Sequence, residues 1–270
     1  MEQSGSVSAL KSLHTETGCI WYVDDPNDPD ETSSSRLLRE QGLLEGAEIE
    51  GIASAGRGNT FFIQWHGRTL VLRYYRRGGL VRHVSDRRYL FSGMQNTRAY
   101  REFQVLMHLQ TVGLPSSRPF ACQVIRSGLT YTASMITYRI QGETLTASLL
   151  QDDGLSSVLL ENEALWRSIG HTIARFHKAG IYHADLNAHN IMLDDNADVY
   201  LIDFDRARIR TQPAINNWCL TNMRRLEVSL KKITKPWLNS GTNRKHLEQA
   251  YGWSFEQWKT SMLELDETRQ

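Results

Sequence analysis

The stretch His183–Leu193, HADLNAHNIML, and the stretch Val199–Asp205 that closely follows it, VYLIDFD, decide how this chain folds. Apolar Leu186 and Ile191 anchor a segment that otherwise carries Asp185, Asn190 and two histidines. VYLI reads as a short apolar strand with Asp203 at its end. Asp185 and Asn190 are five residues apart, and Asp203 lies 18 beyond Asp185. In a strand–turn–strand frame that spacing can bring a free carboxylate, an amide oxygen and a strand-end carboxylate to a common point. Hard oxygen donors of this kind suit Mg²⁺, which takes carboxylates together with phosphate oxygens. Taken singly, Asp185 and Asn190 are ordinary turn formers and Asp203 an ordinary strand cap. A zinc pair of His183 and His189 is disfavoured, because a six-residue offset does not share a helix face. His189 is read as a packing or surface residue.

Upstream of this stretch, ALWRSIGHTIARFHKAG has Leu165, Ile169, Ile173 and Phe176 on one face, with Gly180 placed to cap a helix. NTRAYREFQVLMHLQTVG reads as a second amphipathic helix, with Phe103, Leu106, Met107 and Leu109 apolar and Gly113 beyond its end. Earlier still, three strands are predicted at Ala47–Ser54, Thr60–Trp65 and Thr69–Tyr75. A glycine-rich turn joins the first two, and HGR joins the last two. FACQVIRSG and TYTASMITYRI read as a strand pair, with Gln141–Gly142 as the crossover to the second half. From Asn216 the chain reads as helices rich in Trp and basic residues. The first 45 residues read as a polar extension with an exposed acidic loop, DDPNDPDETSSS.

The bulk properties set bounds. The chain has 270 residues, 40% hydrophobic and 23% charged, with a net charge of +1, which is ordinary for one two-lobed domain or two small ones. No apolar run reaches the about 18 residues that a membrane-spanning helix needs. The N-terminus does not read as a signal peptide. Cys19, Cys122 and Cys219 are far apart and read as reduced, mostly buried thiols. The charge is not evenly spread. From Arg73 to Arg101 there are eight Arg and one acid, Asp86, and Lys is absent from Ser12 to His177.

HADLNAHN resembles the catalytic loop of protein kinases, and LIDFD resembles their Asp-Phe-Gly segment. The resemblance implies an α+β, two-lobed protein-kinase-like fold, with a small antiparallel-sheet N-lobe carrying one long helix and a mostly helical C-lobe. The expected division is residues 1–45 as an extension, partly flexible, 46–140 as the N-lobe and 141–270 as the C-lobe. It implies Asp185 as catalytic base, Asn190 and Asp203 as Mg²⁺ ligands, and His183 as the structural histidine of the loop. ATP would be covered by the Gly56 and Gly58 turn, although an ordinary hairpin explains that turn equally well. With no Lys available, Arg73 is the candidate cation for the ATP phosphates and Arg76 the alternative. Glu102 would be its helix-borne partner, unless it is simply a solvated carboxylate. Tyr138 to Ile140 would be the hinge whose backbone meets adenine. Asp205 stands where kinases have Gly, as a second metal-proximal carboxylate or a turn cap.

Two departures narrow the class. No Ala-Pro-Glu segment follows DFD, which argues for a non-peptide acceptor. The segment RYYRRGGLVRHVSDRRYLFSGMQNTRAYR mixes Arg with Tyr, Leu, Val and Phe. It is either a solvated charged face or a site for an anionic, partly apolar partner such as a lipid surface; nucleic acid fits its apolar content less well. GRGNTFF, VLRYYRRGGLV, DRRYLF, TRAYREFQVL, YHADLNAHNIML and LIDFDRARIR together resemble the 3-deoxy-D-manno-octulosonic acid (Kdo) kinases of the bacterial lipopolysaccharide kinase family, over roughly residues 47–235. That resemblance implies ATP- and Mg²⁺-dependent phosphorylation of the Kdo 4-hydroxyl on a lipid A precursor, at the cytoplasmic face of the Gram-negative inner membrane. Arg76, Arg77, Arg82, Arg87 and Arg88 are the candidates for binding the anionic acceptor, with no obligate protein partner expected. The competing readings are a lipopolysaccharide heptose kinase, a small atypical protein kinase, or a non-catalytic scaffold on anionic lipid.

Overall fold

The computed structural model describes residues 9–24, 48–52, 60–75, 88–151, 154–210, 217–238 and 241–264. The chain divides into two compact units. One takes the chain up to Met107 together with Arg118–Arg139, and the other takes His108–Ser117 and everything from Ile140 onward.

The first unit is built on an antiparallel sheet of eight strands, β1 (Ala9–His14), β2 (Gly18–Asp24), β3 (Glu48–Ile52), β4 (Thr60–Trp65), β5 (Arg68–Tyr74), β6 (Tyr89–Leu90), β7 (Pro119–Ser127) and β8 (Thr130–Tyr138). Their order is β1-β2-β7-β8-β5-β4-β3, with β6 paired to β8. β4 and β5 are joined by His66 and Gly67, both at positive φ (46° and 72°). A two-residue hairpin loop needs that geometry, and Gly adopts it without steric cost. Ile20, Ile63, Trp65, Leu70, Leu72, Phe120, Ala121 and Ile136 form a buried cluster on the sheet. Helix α1 (Arg98–Thr111) buries Ala99, Phe103 and Leu106, spaced i, i+4 and i+7. Residues 9–24, inside the stretch read as a polar extension, are two strands of this sheet, and Cys19, Ile20 and Trp21 are buried. The signal was the apolar run CIWYV beside a strongly acidic neighbour. Most of that acidic loop, Gly56 and Gly58 lie outside the described residues.

The second unit holds β9 (Gly142–Thr144), α2 (Leu145–Leu149), β10 (Leu150–Gln151), β11 (Gly154–Leu155), α3 (Ser157–Leu160), α4 (Glu163–Lys178), β12 (Ile181–Tyr182), β13 (Ile191–Asp194), β14 (Val199–Leu201), β15 (Arg208–Ile209), α5 (Asn217–Thr234) and α6 (Gly241–Leu263). Asn162 caps α4 by accepting from the Leu165 N–H at 3.1 Å, and Gly180 closes its end at φ 75°. The predicted apolar face, Leu165, Ile169, Ile173 and Phe176, is buried. Gly170 lets α4 and α6 approach so closely that a Cβ there would overlap the Ser254 carbonyl. All three cysteines are buried, and none is in a disulfide. Among the described residues no helix is long and apolar enough to cross a membrane.

Candidate active site

In the second unit a β-hairpin links two of the predicted metal ligands. Ile191 pairs with Leu201 and Leu193 with Val199. The turn is held by the Asp194 carboxylate, which accepts from the N–H groups of Asn196 and Asp198, each at 2.9 Å. Asn190 therefore stands just before one strand and Asp203 two residues after the other. The Ile202 N–H donates to the Asn190 carbonyl at 3.0 Å, one residue short of Asp203. Asp203 sits at φ 62°, a left-handed conformation that a non-glycine residue holds only when its surroundings impose it. Next to it, Phe204 is fully buried, stacked on Phe176 of α4 (5.7 Å, 15°) and tilted against the His183 ring at 4.9 Å. Asp205 and Arg206 occupy a turn closed by the Ala207 N–H on the Phe204 carbonyl at 2.8 Å.

The Asp185 loop is tied to that hairpin by His183. The buried imidazole accepts the Asp185 N–H at Nδ1 (3.2 Å), so Nε2 carries the proton and donates it to the Ile202 carbonyl (2.9 Å). Burial lowers the His183 pKa, and it stays neutral in this bridging tautomer. The Asp185 carbonyl accepts from Asn190 Nδ2 at 2.8 Å and from Asn187 Nδ2 at 3.0 Å. Asn190 is buried, and with its amide nitrogen committed, its oxygen is the group left for a ligand. Asp185 is exposed, and among the described residues its carboxylate has no ion-pair partner. His189 is exposed, as its surface reading implied.

Helix α5 grips the loop through one stripe, a feature that sequence reasoning missed. Trp218 packs edge-on against the Tyr182 ring (5.9 Å), Asn222 Nδ2 donates to the His183 carbonyl (2.8 Å), and the Arg225 guanidinium donates to the Ala184 carbonyl. Ser229 Oγ accepts the Ala188 N–H at 3.2 Å. Residues 218, 222, 225 and 229 follow the i, i+4, i+7, i+11 rhythm of one helix face. Behind Asn222 a buried relay continues: the Trp258 Nε1–H donates to His177 Nδ1 (2.9 Å), leaving His177 Nε2–H for the side-chain Oδ1 of Asn222 (3.3 Å). Burial lowers the His177 pKa to about 4. The spacing of polar residues in NWCLTNMRRLEVS was the available signal.

The first unit carries a charged cluster. Arg73 and Tyr75 are two residues apart at the end of β5, so they face the same side of the sheet. There the Arg73 guanidinium bonds one carboxylate oxygen of Glu102 on α1, and the Tyr75 hydroxyl donates to the other. Glu102 is 3% exposed and Arg73 27%, so the carboxylate is enclosed while the guanidinium keeps access to solvent. A buried carboxylate needs such partners to remain charged. Burial, together with the Glu102 charge, pushes the Tyr75 hydroxyl well above its ordinary pKa. Tyr138 ends β8, where its N–H donates to the Arg118 carbonyl (2.9 Å) and that of Arg139 to the Thr69 carbonyl (3.1 Å). Arg88 is exposed. Arg76, Arg77, Arg82 and Arg87 lie outside the described residues.

The donor set fits Mg²⁺ rather than a softer metal. Among the described residues no three His, Cys, Asp or Glu side chains cluster as a self-sufficient metal site. An asparagine oxygen and a carboxylate that await phosphate oxygens are the partial shell this cation accepts.

An antiparallel-sheet unit, a helical unit and a histidine-bridged Asp loop together define a kinase-like phosphotransferase. The model of the lipopolysaccharide kinase (Kdo/WaaP) family matches residues 46–255. A 3-deoxy-D-manno-octulosonic acid kinase of Vibrio parahaemolyticus is 37% identical over 217 residues, covering 79% of this chain and 84% of that protein. One from Stenotrophomonas maltophilia is 40% identical over 188 residues, covering 70% of this chain and 72% of its own. A solved structure of WaaP in complex with acyl carrier protein aligns at a TM-score of 0.48 with 14% identity, covering 82% of this chain and 92% of that one. The chain belongs to the lipopolysaccharide kinase (Kdo/WaaP) family and is a phosphotransferase.

Proposed function

We propose that this protein transfers the γ-phosphate of ATP to the 4-hydroxyl of the Kdo residue of Kdo–lipid IVA, at the cytoplasmic face of the inner membrane during lipopolysaccharide inner-core synthesis. The observation that carries the proposal is the His183 bridge. It ties the Asp185 loop to the strand end before Asp203 in a chain whose relatives bear the Kdo kinase name.

Asp185 accepts the hydrogen bond of the sugar hydroxyl and orients its oxygen for in-line attack on phosphorus. Asn190 and Asp203 hold Mg²⁺, which, when bound, neutralises charge on the transferring phosphate oxygens. Arg73, steadied by Glu102, bonds the ATP phosphates. Its guanidinium is permanently charged and can fork onto phosphate oxygens where kinases usually place a Lys. Tyr138 and Ile140 take the adenine. With the Tyr138 and Arg139 N–H groups engaged in the sheet, the adenine contact falls to carbonyls and to Ile140. The Gly56 and Gly58 turn covers the phosphates, and Arg76, Arg77, Arg82, Arg87 and Arg88 bind the anionic acceptor at the membrane surface. Because the transition state is loose, positioning and charge neutralisation supply most of the acceleration.

The test is phosphate transfer from labelled ATP to three acceptors: Kdo–lipid IVA, a heptosylated core and a generic protein. Label on Kdo–lipid IVA, at the 4-hydroxyl, is expected. Label on the heptosylated core alone would make this a heptose kinase, and label on protein alone would overturn the glycolipid assignment.

A further inference from the structure

The acceptor-binding residues proposed above lie on the Arg-rich segment of the first unit, yet the second unit places a cation beside Asp185 itself. We infer that Arg225 is an anion-binding subsite of the acceptor, and that its ligand is the carboxylate of the acidic sugar. The inference rests on the reading of the acceptor as a Kdo glycolipid.

Two good hydrogen bonds on either side of Arg225 set the face it presents. Asn222, three residues before, holds the His183 carbonyl at 2.8 Å, and Ser229, four residues after, holds the Ala188 N–H at 3.2 Å. A residue between them on the same helical stripe must face the Asp185 loop. Arg225 does so, donating to the Ala184 carbonyl, the residue immediately before Asp185. Its neighbour Arg224 lies off the stripe.

The bond to Ala184 uses one of the five N–H donors of the guanidinium. Arg225 is exposed, and among the described residues no Asp or Glu forms an ion pair with it. A planar fork with donors to spare, anchored by one of them, is preorganised for a bidentate carboxylate. Such a cation also answers an electrostatic need. An acidic sugar brought to the exposed Asp185 meets like charge, and a guanidinium alongside offsets that repulsion. The relatives' substrate is named as an acid, a sugar that carries a carboxylate besides its hydroxyls. Glu227, the nearest acid along the helix, is engaged with Lys231 instead.

The test compares wild type, Arg225→Gln and Arg225→Lys on Kdo–lipid IVA, on its Kdo methyl ester and on its dephosphorylated form, reading kcat/KM for each acceptor and KM for ATP. Arg225→Gln keeps an N–H for Ala184 but removes the charge. It is expected to lose about 10- to 100-fold in kcat/KM on the acid, the scale of a charge-assisted hydrogen bond. Wild type should lose a similar factor on the ester, and the variant on the ester should lose little more than either change alone. Arg225→Lys should fall between, with KM for ATP unmoved. Equal losses for the variant on acid and ester would make Arg225 a brace of the loop and overturn the inference. So would a wild type that uses the ester as well as the acid, or a variant effect that vanishes when the lipid phosphates, rather than the carboxylate, are removed. The wild-type ester comparison requires no variant to fold. A wild type inactive on every Kdo acceptor would instead refute the functional proposal, and this inference with it.

Discussion

The two units bury polar groups in opposite ways. In the first, a carboxylate is enclosed and kept charged by a guanidinium and a phenol, Arg73 and Tyr75 on Glu102. In the second, the buried side of the Asp185 loop is held by neutral groups that bond backbone carbonyls and N–H groups, His183 on Ile202, Asn190 on Asp185 and Asn222 on His183, while the one cation on the loop, Arg225 on Ala184, is exposed. The difference follows from the task. In the role proposed for Arg73, a cation that meets phosphate needs a fixed countercharge that sets its direction and leaves it reachable. A loop that presents Asp185 needs its buried backbone fixed, and neutral donors and acceptors do this without the desolvation cost of a buried charge.

That contrast can be broken at several points. The largest expected effect is on turnover. Asn222→Ala removes the side chain that joins the His183 carbonyl to the buried His177 and Trp258 relay. With the loop free to shift, kcat should fall about 100-fold, because misplacement by an ångström can cost that much. KM for ATP should change little, and Asn222→Asp, which keeps the shape but loses the donor, should not restore the rate. An Asn222→Ala enzyme with normal kcat would show that α5 is a passive support.

Next is the charged cluster. Glu102→Gln leaves Arg73 without its countercharge and should cost about 3 kcal/mol in urea unfolding, discounted for the partial exposure of Arg73. It should also raise KM for ATP. Tyr75→Phe, which removes one neutral donor, should cost about 1 kcal/mol. If both variants cost the same, the ion pair adds nothing beyond an ordinary hydrogen bond.

The smallest effect sharpens the contrast through pH. His177 is held near pKa 4 by burial, against 6.5 when unfolded. Between those values the unfolded chain binds the extra proton, so the stabilising contribution is complete above about pH 6.5 and is lost as pH falls. The loss should reach about 2 kcal/mol by pH 5. Urea titrations at pH 7 and pH 5 measure it, and His177→Gln should flatten the dependence. An unchanged pH profile in that variant would mean that His177 is not what acid attacks.

How far the sequence was readable follows the same divide. The placement of Asp185, Asn190 and Asp203 on one loop and hairpin could be read because loop and strands lie next to each other in the chain, and the hairpin register does the rest. Arg73 and Glu102 were found across 29 residues because each stood alone as a candidate of its charge type on a predicted strand and helix. Asn222, Ser229 and Arg225 were not found, since an Asn, a Ser and one of several Arg on a surface-looking helix offer only their spacing, which points to no partner until the loop is laid against them. His177 was equally silent, because a histidine on a predicted apolar face looks like any core residue. The β1–β2 hairpin was lost for another reason: a short apolar run, CIWYV, was outweighed by the acidic tract beside it. Its pairing with β7 is non-local, and local pattern does not report that.

In the proposed reaction Asp185, aimed by the neutral His183 bridge, accepts the proton as phosphate is transferred to a Kdo hydroxyl. Asp185→Asn, assayed with Kdo–lipid IVA and labelled ATP beside a Mg²⁺-ATP thermal shift, tests this role most directly. Turnover should fall about 10³-fold while the nucleotide-induced shift is preserved. Turnover close to that of the unaltered protein would contradict that role.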